Sequence, residues 1–299
     1  MNLSVVVPTL NARERLVGCL DALAEHAPDA EVVVVNGPSA DGTTGMVRDR
    51  PDVDVLVEIA DRRHNVARNA GIDRASGDVV AFLDQDLAVE GGWREALVDG
   101  IAGSDVVTGP THQKLRAGMT TERAESSTIK GRRVTYFNGD NAAYTRETLD
   151  AIDGFDEYLH TGGARDAAHR LAGMDFEVDW AGDMCVRREY SADGGVAEPD
   201  WEWKYRALAY RLAKNYGLRP TVARRLLSHS VRDALDTLRD VASGAARPSS
   251  WFGNGRDVLK GMAGGLKDGT AARWRDRSPR RNPQGRSSRT DRAVAVYTD

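Results

Sequence analysis

The sequence predicts an α/β protein with a mostly parallel mixed sheet and a C-terminal helical extension. Short apolar runs rich in valine recur about every 20 to 30 residues in the first part of the chain, with amphipathic segments between them. This alternation is typical of βαβ units, whose strands are parallel. Longer helical patterns replace it after about residue 200. At 299 residues, the chain suffices for one large domain with an appendage or for two smaller domains.

The first half alternates regularly between the two kinds of element. Apolar runs bounded by turn residues indicate the strands, and Leu16, Leu20 and Leu23 recur at the spacing of a helix face. The predicted strands cover 3–7, 32–35, 53–57, 79–83 and 105–107. The predicted helices include Leu16–Leu23 and cover 43–48, 65–75 and 93–101. This order predicts a nucleotide-binding type of architecture.

The second half is less regular. A loop is predicted at 138–141, and the Gly162-Gly163 pair indicates a break before a helix over 164–171. Further helices are predicted over 146–152, 201–216 and 221–242, with a half-exposed strand over 176–180. After about Pro248 the glycine, serine and arginine content predicts little order. We therefore expect a catalytic domain over 1–204, a helical extension over 205–271 and a basic, flexible tail over 272–299.

Charge and composition narrow the function classes. The net charge of −4 conceals a tail with eight arginines, and the acidic remainder argues against a nucleic-acid-binding domain. Cys19 and Cys185 are too few for a disulfide framework or a structural zinc site, and their apolar neighbours suggest buried thiols. The sequence lacks an apolar run of membrane-spanning length and opens on a strand without a signal-like leader. We expect a cytoplasmic catalytic part.

The most informative motif is the pair of aspartates in Asp84-Gln85-Asp86, directly after the buried strand 79–83. Ligands of open α/β sheets bind at the carboxyl ends of the strands. Hard cations such as Mg²⁺ and Mn²⁺ take carboxylate oxygens together with substrate phosphate oxygens. An isolated pair of this kind also fits a polar turn, since Asp is a common turn residue.

Three further motifs occur in order with this pair. The first strand ends in Pro8-Thr9-Leu10-Asn11, the second leads into Asn36–Thr43, and Ala67-Arg68-Asn69-Ala70-Gly71 precedes the fourth strand. The set resembles the family 2 glycosyltransferases, whose usual sequence motifs are S-V-V-x-P-x-x-N, V-D-D-G-S-x-D-G-T, A-R-N-x-G and F-L-D-x-D. The resemblance covers residues 3–90 closely. It continues loosely through 139–143, 154–157 and Asp166, and implies a GT-A fold.

The resemblance implies a nucleotide-sugar donor, such as a UDP-, GDP- or dTDP-sugar, and a Mn²⁺ or Mg²⁺ cofactor. It assigns the cation to Asp84 and Asp86. The implied donor-binding residues are Pro8, Thr9, Asn11, Asn36, Arg68 and Asp84. Asn36 stands where the family commonly has an acidic residue, which affects donor preference. Asp41 is either a second base-pocket residue or a helix cap, and Arg68 either binds the donor or is a solvated helix arginine.

The resemblance also implies a general base. The family often supplies it from a Glu-Asp pair after a G-F-D-E segment, and Arg165-Asp166 occupies that place here. We predict that Asp166 takes the proton of the acceptor hydroxyl in an inverting transfer. The alternative is a helix N-terminal carboxylate that interacts with the helix dipole. Asp156 and Asp175 are reserve candidates, whereas His160 and His169 stand in no matching motif.

The C-terminal region leaves two interpretations open. Its aromatic residues fit core packing, and its arginine-rich helix either lies on an anionic membrane surface or packs on the catalytic domain. By analogy, the acceptor is a polyprenyl-phosphate-linked glycan used for surface glycans or protein N-glycosylation, at the cytoplasmic membrane face. The alternatives are a non-catalytic nucleotide-sugar-binding scaffold and a sugar nucleotidylyltransferase, although the Gly-rich loop of the latter is missing. The aromatic residues are Trp201, Trp203, Tyr205 and Tyr210.

Overall fold

The computed structural model describes residues 1–115, 118–121, 125–188, 200–242 and 248–298. The chain divides into two compact units. The sheet unit comprises Met1–Ser127, Arg133–Asp193 and Gln284–Asp299, and the helical unit comprises Thr128–Arg132 and Gly194–Pro283. This division differs from the boundaries expected at residues 204 and 271, because the end of the chain returns to the sheet unit.

The secondary structure alternates between strands and helices as far as residue 108 and then changes character. In chain order the elements are β1 (Leu3–Thr9), α1 (Arg13–His26), β2 (Glu31–Asn36), α2 (Thr43–Arg48), β3 (Val55–Ile59), α3 (His64–Ile72), β4 (Val79–Leu83), β5 (Leu87–Val89), α4 (Trp93–Ile101), β6 (Val106–Thr108), β7 (Thr111–Leu115), β8 (Gly118–Thr121), β9 (Glu125–Ile129), β10 (Arg132–Tyr136), β11 (Asn141–Thr145), α5 (Arg146–Ala151), α6 (Gly163–Leu171), β12 (Val178–Trp180), β13 (Val186–Arg188), α7 (Trp201–Tyr216), α8 (Pro220–Ala242), α9 (Pro248–Arg275) and β14 (Ala293–Thr298).

An eight-stranded mixed sheet forms the centre of the sheet unit, in the order β12-β6-β11-β4-β1-β2-β3-β14. The strands β4, β1, β2 and β3 run parallel, whereas β11 runs antiparallel to β4 and β14 runs antiparallel to β3. Strands β1, β2 and β4 are almost wholly buried, which explains their continuous apolar runs. The predicted mostly parallel mixed sheet is confirmed.

A smaller sheet lies beside the end of β4. Its order is β5-β13-β7-β8, with β13 antiparallel to β5 and parallel to β7. Because β5 begins one residue after Asp86, this sheet continues directly from the Asp84-Gln85-Asp86 segment. The sequence analysis did not predict β5, β7 or β13, since each is short and lacks a clear apolar alternation.

The end of the chain forms an edge strand, which differs from the flexible tail expected over 272–299. Strand β14 pairs with β3, and ion pairs fix the segment before it. Arg292 is 4% exposed, and its Nε lies 2.5 Å from Glu157 Oε1, while its Nη1 lies 3.2 Å from Asp73 Oδ2. Arg286 and Arg289 contact Asp150 and Glu157. These three arginines, part of the predicted basic tail, therefore neutralise carboxylates of the sheet unit.

The helical unit contains α7, α8 and α9, and the helix over Pro248–Arg275 replaces the weak order expected there. Helix α9 packs against α7 with glycine at every fourth position of the contact. A Cβ at Gly265 would lie 2.2 Å from the carbonyl oxygen of Arg206, so only glycine permits this approach. Tyr205 and Tyr210 are fully buried, as predicted for core residues, whereas Trp201 and Trp203 are partly exposed. Within the described residues, none of the helices has the length and apolarity needed to cross a membrane.

We predict that Arg292→Ala lowers the free energy of unfolding by about 3 kcal/mol, because it leaves the buried carboxylate of Glu157 without its closest cation. Urea denaturation followed by circular dichroism measures this. The control Arg15→Ala removes an exposed arginine of α1 and should change stability by less than about 0.5 kcal/mol. Equal stability of the two variants would mean that the ion pairs before β14 contribute little.

Candidate functional site

The carboxyl ends of β1 and β4 are tied together by one side chain. The Gln85 Oε1 atom accepts hydrogen bonds from Thr9 Oγ1 and from the Leu10 backbone nitrogen, each at 2.9 Å. The Asp84 Oδ1 atom accepts a hydrogen bond from the Gln85 backbone nitrogen at 2.7 Å. The segment after β4 is therefore held in a defined conformation beside the end of β1, as the strand order predicts.

Three carboxylates lie near one another at this edge: those of Asp84, Asp86 and Asp140. Burial and the charges of Asp140 and Asp86 raise the pKa of the Asp84 carboxyl to about 6. Asp140 precedes β11, and its carbonyl oxygen accepts a hydrogen bond from the Asp84 backbone nitrogen at 3.2 Å. The antiparallel pairing of β11 with β4 thus places Asp140 next to Asp84.

Arg68 is buried beneath this cluster, at 4% exposure. Its Nη2 donates to Asp140 Oδ1 at 2.7 Å and to the Gly139 carbonyl oxygen at 2.6 Å. Its guanidinium carbon lies 4.9 Å from the centroid of the Phe155 ring, a cation–π distance. The interpretation of Arg68 as a solvated helix arginine is thereby excluded, and its charge acts on the carboxylates.

Asp86 has a different partner. Arg188 of β13 donates from Nη1 to Asp86 Oδ2 at 2.6 Å, although the two residues are 102 positions apart. The other carboxylate oxygen, Asp86 Oδ1, is buried and has no hydrogen-bond partner among the described residues. A buried carboxylate oxygen without a donor is costly, and a cation is the ligand that would satisfy it.

A cavity of about 140 Å³ opens beside Asp84. It is smaller than the roughly 300–1,000 Å³ of sites that enclose a drug-sized ligand, so it accommodates one part of a nucleotide. His64 lies at its wall, with Nε2 3.9 Å from Asp140 Oδ1. Burial and the charge of Arg68 lower the pKa of His64. The lining includes Pro8, Thr9, Gly37, Asp61, Arg63, His64, Asp84 and Gln85.

Asn36 lies at the end of β2 and is 1% exposed. Its Nδ2 donates to Thr44 Oγ1 at 2.9 Å, and its Oδ1 accepts from Ser39 Oγ at 2.7 Å. Asn11 connects the neighbouring loop, since its Oδ1 accepts from the Ala40 backbone nitrogen at 2.8 Å. Both residues shape the loops around the sheet edge, and their contact with a donor stays a prediction.

Asp41 makes local hydrogen bonds at the start of α2. Its Oδ1 accepts from the Thr43 backbone nitrogen at 3.1 Å, and its Oδ2 accepts from the Arg13 backbone nitrogen at 3.0 Å. These bonds lower the pKa of the Asp41 carboxyl, the largest cause being the hydrogen bond from the Thr43 side chain. The N-cap residue of α2 is Gly42, so Asp41 lies one residue before the cap and binds the first helical N–H, a local role at the start of α2.

Asp166 lies in the first turn of α6 and is fully buried. Its Oδ2 accepts from Arg170 Nε at 2.8 Å, and Arg170 also donates to the carbonyl oxygens of Ile152 and Gly154. Helix α6 approaches α3 closely at Gly163. A Cβ at this position would lie 2.3 Å from Asn65 Oδ1, so the approach needs glycine.

The reserve candidates for the base differ in exposure. Asp156 is fully buried, and its Oδ1 accepts from the Tyr158 backbone nitrogen at 3.0 Å. Asp175 is exposed. His169 is buried edge-to-face against Tyr136 and His160 is exposed. The assignment of the base among these carboxylates stays a prediction.

Comparison with known proteins agrees with this geometry. Residues 4–155, about half of the chain, match the family described as Glycosyl transferase family 2. The chain belongs to this family. Glycosyltransferase AglE of Haloferax volcanii is 27% identical over 196 residues. The match covers 60% of this chain and 64% of AglE, so the chain spans less than two thirds of that relative.

Solved structures confirm the GT-A fold. The mannosyltransferase PcManGT of Pyrobaculum calidifontis, in complex with GDP-Man and Mn²⁺, superposes with a TM-score of 0.57. Its sequence is 19% identical, and the superposition covers 89% of this chain and 87% of PcManGT. The fragment 1–349 of TarS of S. aureus, in complex with UDP-GlcNAc, has a TM-score of 0.56 at 20% identity. That superposition covers 73% of this chain and 68% of the TarS fragment.

Three residues at this sheet edge were not predicted from the sequence: His64, Asp140 and Arg188. Asp140 lies in a segment that matches the family only loosely, and the strand that follows it, β11, was not predicted; the loose family match was the available signal. Arg188 belongs to a three-residue strand without a motif, and only the fold brings it to Asp86. His64 starts α3 one turn before Arg68.

We predict that Asp84→Asn stabilises the metal-free protein at pH 7.5 by about 2–3 kcal/mol. The folded-state pKa of about 6 exceeds the usual value near 4, so the wild type loses stability as pH rises through that interval. Asparagine has no such titration, so the gain should fall to about 1 kcal/mol at pH 4.5 and vanish only below the unfolded-state pKa. Urea denaturation at both pH values measures it.

The matched control is Asp86→Asn, which removes a carboxylate from Arg188 and should bring no stabilisation. A gain for Asp84→Asn that is equal at the two pH values would contradict the raised pKa of Asp84.

Proposed function

We propose that this chain is a metal-dependent, inverting glycosyltransferase that moves one sugar from a nucleotide-sugar donor to a hydroxyl acceptor. The observation that carries the proposal is the buried, unpartnered oxygen of Asp86 beside Asp84 at the carboxyl end of β4. Family membership and the Mn²⁺ and GDP-Man in the PcManGT complex support it.

The donor set fits a hard divalent cation. Asp84 and Asp86 offer carboxylate oxygens, and Asp140 lies close enough to raise the pKa of Asp84. Bound there with the donor, Mn²⁺ or Mg²⁺ would supply Lewis-acid stabilisation of the leaving diphosphate. The negative charge left after pairing with Arg68 and Arg188 is what the cation neutralises.

The remaining residues bind and orient the donor. We assign the nucleoside to the cavity between Thr9, Asp61 and Asp84, where backbone and side-chain groups meet the ends of several strands. Arg68 contributes positive charge from below, because its guanidinium is fixed on Asp140 and Phe155. Pro8, Asn11 and Asn36 shape the two loops that border this cavity.

In an inverting transfer, one carboxylate takes the acceptor proton while the diphosphate leaves from the opposite face. Asp166 is our candidate for this role. Its pairing with Arg170 positions the carboxylate, and transfer requires this pair to open toward the acceptor. A structural role for the same ion pair is the competing interpretation, because Arg170 also holds the carbonyl oxygens of Ile152 and Gly154.

The acceptor is a lipid-linked glycan on this proposal, and the helical unit supplies the membrane contact. Helix α8 exposes Leu227, Val231, Leu235 and Leu238, each about half exposed or more, whereas Leu226 is buried. Leu235 and Leu238 are therefore available to a bilayer, whereas Leu226 is not. A cavity of about 530 Å³ between α7, α8 and α9 is lined mainly by apolar side chains and suits an isoprenoid chain.

A basic cavity on the same unit suits the phosphate of such an acceptor. It measures about 570 Å³ and is lined by residues including Lys130, Arg224, Arg225, His229 and Arg232. Positive charge from Arg219 is the largest cause that lowers the pKa of Lys130. The local excess of cations is what an anionic lipid headgroup or polyprenyl phosphate would compensate.

The test of the proposed activity is nucleotide-sugar turnover. With Mn²⁺ and a polyprenyl-phosphate-linked acceptor, the protein should release nucleoside diphosphate from one of the UDP-, GDP- and dTDP-sugars, and Asp86→Ala should abolish this while remaining folded. A non-catalytic scaffold would bind the donor with metal and release none. A nucleotidylyltransferase would release pyrophosphate from a nucleoside triphosphate and a sugar phosphate.

We predict that Asp166→Asn lowers kcat by about 10² or more and leaves donor affinity nearly unchanged, as expected when a general base is lost. Steady-state kinetics and a thermal unfolding curve are measured on the same preparation. A normal kcat with a lower Tm would assign Asp166 to structure and move the base to Asp156 or Asp175.

We predict that the protein sediments with anionic liposomes at low salt and is partly released at high salt. Arg224→Ala/Arg232→Ala should weaken this binding on the order of 30-fold, at about 1 kcal/mol per arginine near the surface. The control Arg15→Ala/Arg74→Ala removes two exposed arginines of the sheet unit. We use point variants because a deletion of the residues after Ala272 would also remove β14. Equal binding of both double variants would refute the membrane contact of α8.

A further inference from the structure

We propose a second cation site, distinct from the carboxylates of Asp84 and Asp86, formed by Glu90, His112 and Cys185 and selective for Zn²⁺. One donor atom from each of these three residues lies within 4.8 Å of the donor atoms of the other two. All three belong to the sheet unit and come from segments far apart in the sequence. The proposal does not depend on the glycosyltransferase activity.

The small sheet brings these residues together by its register. Val186 pairs with Val89 in the antiparallel ladder, so Cys185 stands opposite Glu90, whose backbone nitrogen donates to the Cys185 carbonyl oxygen at 3.0 Å. In the parallel ladder, His112 pairs with Arg187. Cys185 and Arg187 point to the same face, because side chains alternate along a strand. The three side chains therefore share one face of three adjacent strands.

The distances suit a tetrahedral ion. His112 Nδ1 lies 3.1 Å from Glu90 Oε2. Zinc bonds of about 2.0–2.3 Å to nitrogen, oxygen and sulfur imply donor separations of roughly 3.3–3.7 Å. The three donors thus need to move by about 1 Å or less to share one ion.

The chemistry of the donor set distinguishes this site from the donor-binding edge. A thiolate with an imidazole and a carboxylate favours zinc, whereas an all-oxygen set favours Mg²⁺ or Mn²⁺. The sequence analysis excluded zinc from the number of cysteines, but a mixed site needs only one. It also expected a buried thiol at Cys185, whereas the structure leaves this residue partly exposed, unlike Cys19.

The site remains accessible to water, because the side chains of His112 and Glu90 are 20% and 27% exposed. Water can therefore complete the coordination as a fourth ligand. Binding converts the Cys185 thiol to a thiolate: the Sγ–H bond breaks, an Sγ–metal bond forms, and the proton passes to the buffer. Arg187 lies 3.9 Å from the other oxygen of Glu90, Oε1, so this contact does not occupy the oxygen beside His112.

A bound ion would connect the strands that hold Asp86 in place. Strand β5 follows Asp86 directly, and β13 carries Arg188, which donates to Asp86 at 2.6 Å. Joining Glu90 of one strand to Cys185 of the other restrains both partners of that ion pair. We therefore expect Zn²⁺ to raise the Tm of the protein.

The test uses Co²⁺ as a spectroscopic probe on the full-length, reduced protein. Wild type should bind one Co²⁺ with a thiolate-to-cobalt charge-transfer band, which Zn²⁺ abolishes by competition. Cys185→Ser should lose the band, whereas the matched control Cys19→Ser and the donor-site variant Asp86→Asn should keep it. His112→Gln should weaken binding at least about 10-fold, since even an outer partner of a ligand contributes about 10–100-fold.

Near-UV circular dichroism checks that each variant is folded. If Cys185→Ser does not fold, the wild-type band and the His112→Gln titration decide the result. The absence of a charge-transfer band in wild type would overturn the proposal. So would a band that survives Cys185→Ser, full-strength binding by His112→Gln, or a Zn²⁺-induced increase in Tm that is equal in Cys185→Ser and wild type.

Discussion

Burial of the Asp84 carboxylate beside those of Asp86 and Asp140 is the constraint around which this site is built. The strand order brings them together, and within the described residues two arginines, Arg68 and Arg188, pair with these three acids. Arg68 neutralises Asp140 from below, Arg188 neutralises one oxygen of Asp86, and Asp84 is left with a pKa of about 6. The site thus stores an electrostatic cost that, on the proposed function, a divalent cation would remove.

This cost is tolerated because rigid elements hold each member. Gln85 fastens the segment after β4 to β1, Phe155 supports the guanidinium of Arg68, and the small sheet fixes Arg188. At the far edge, Arg292 secures the return of the chain to β3 through Glu157. Rigid elements thus hold the carboxylates in an unfavourable arrangement, as is common where binding groups must be in place before the ligand arrives.

The sequence was sufficient for the central sheet because its strands are apolar runs and its helices are amphipathic; β4 and α4 have the predicted bounds. It was insufficient after residue 248, where the glycines that suggested disorder permit close contact of α9 with α7. The motifs located Asp84 and Asp86, but not Arg188, since tertiary pairing across 102 residues leaves no local pattern. Arg292 was likewise expected to lie in a flexible tail, because its pairing with Glu157 exists only in the folded chain.

The most direct measurement is calorimetric titration of wild type and Asp86→Asn with UDP and GDP, with and without Mn²⁺ at pH 7.5. The account predicts that one nucleoside diphosphate binds wild type at least about 10-fold more tightly with Mn²⁺, and that Asp86→Asn removes this difference. Equal affinities with and without Mn²⁺, or a Mn²⁺ effect that persists in Asp86→Asn, would contradict a cation–diphosphate site at the end of β4.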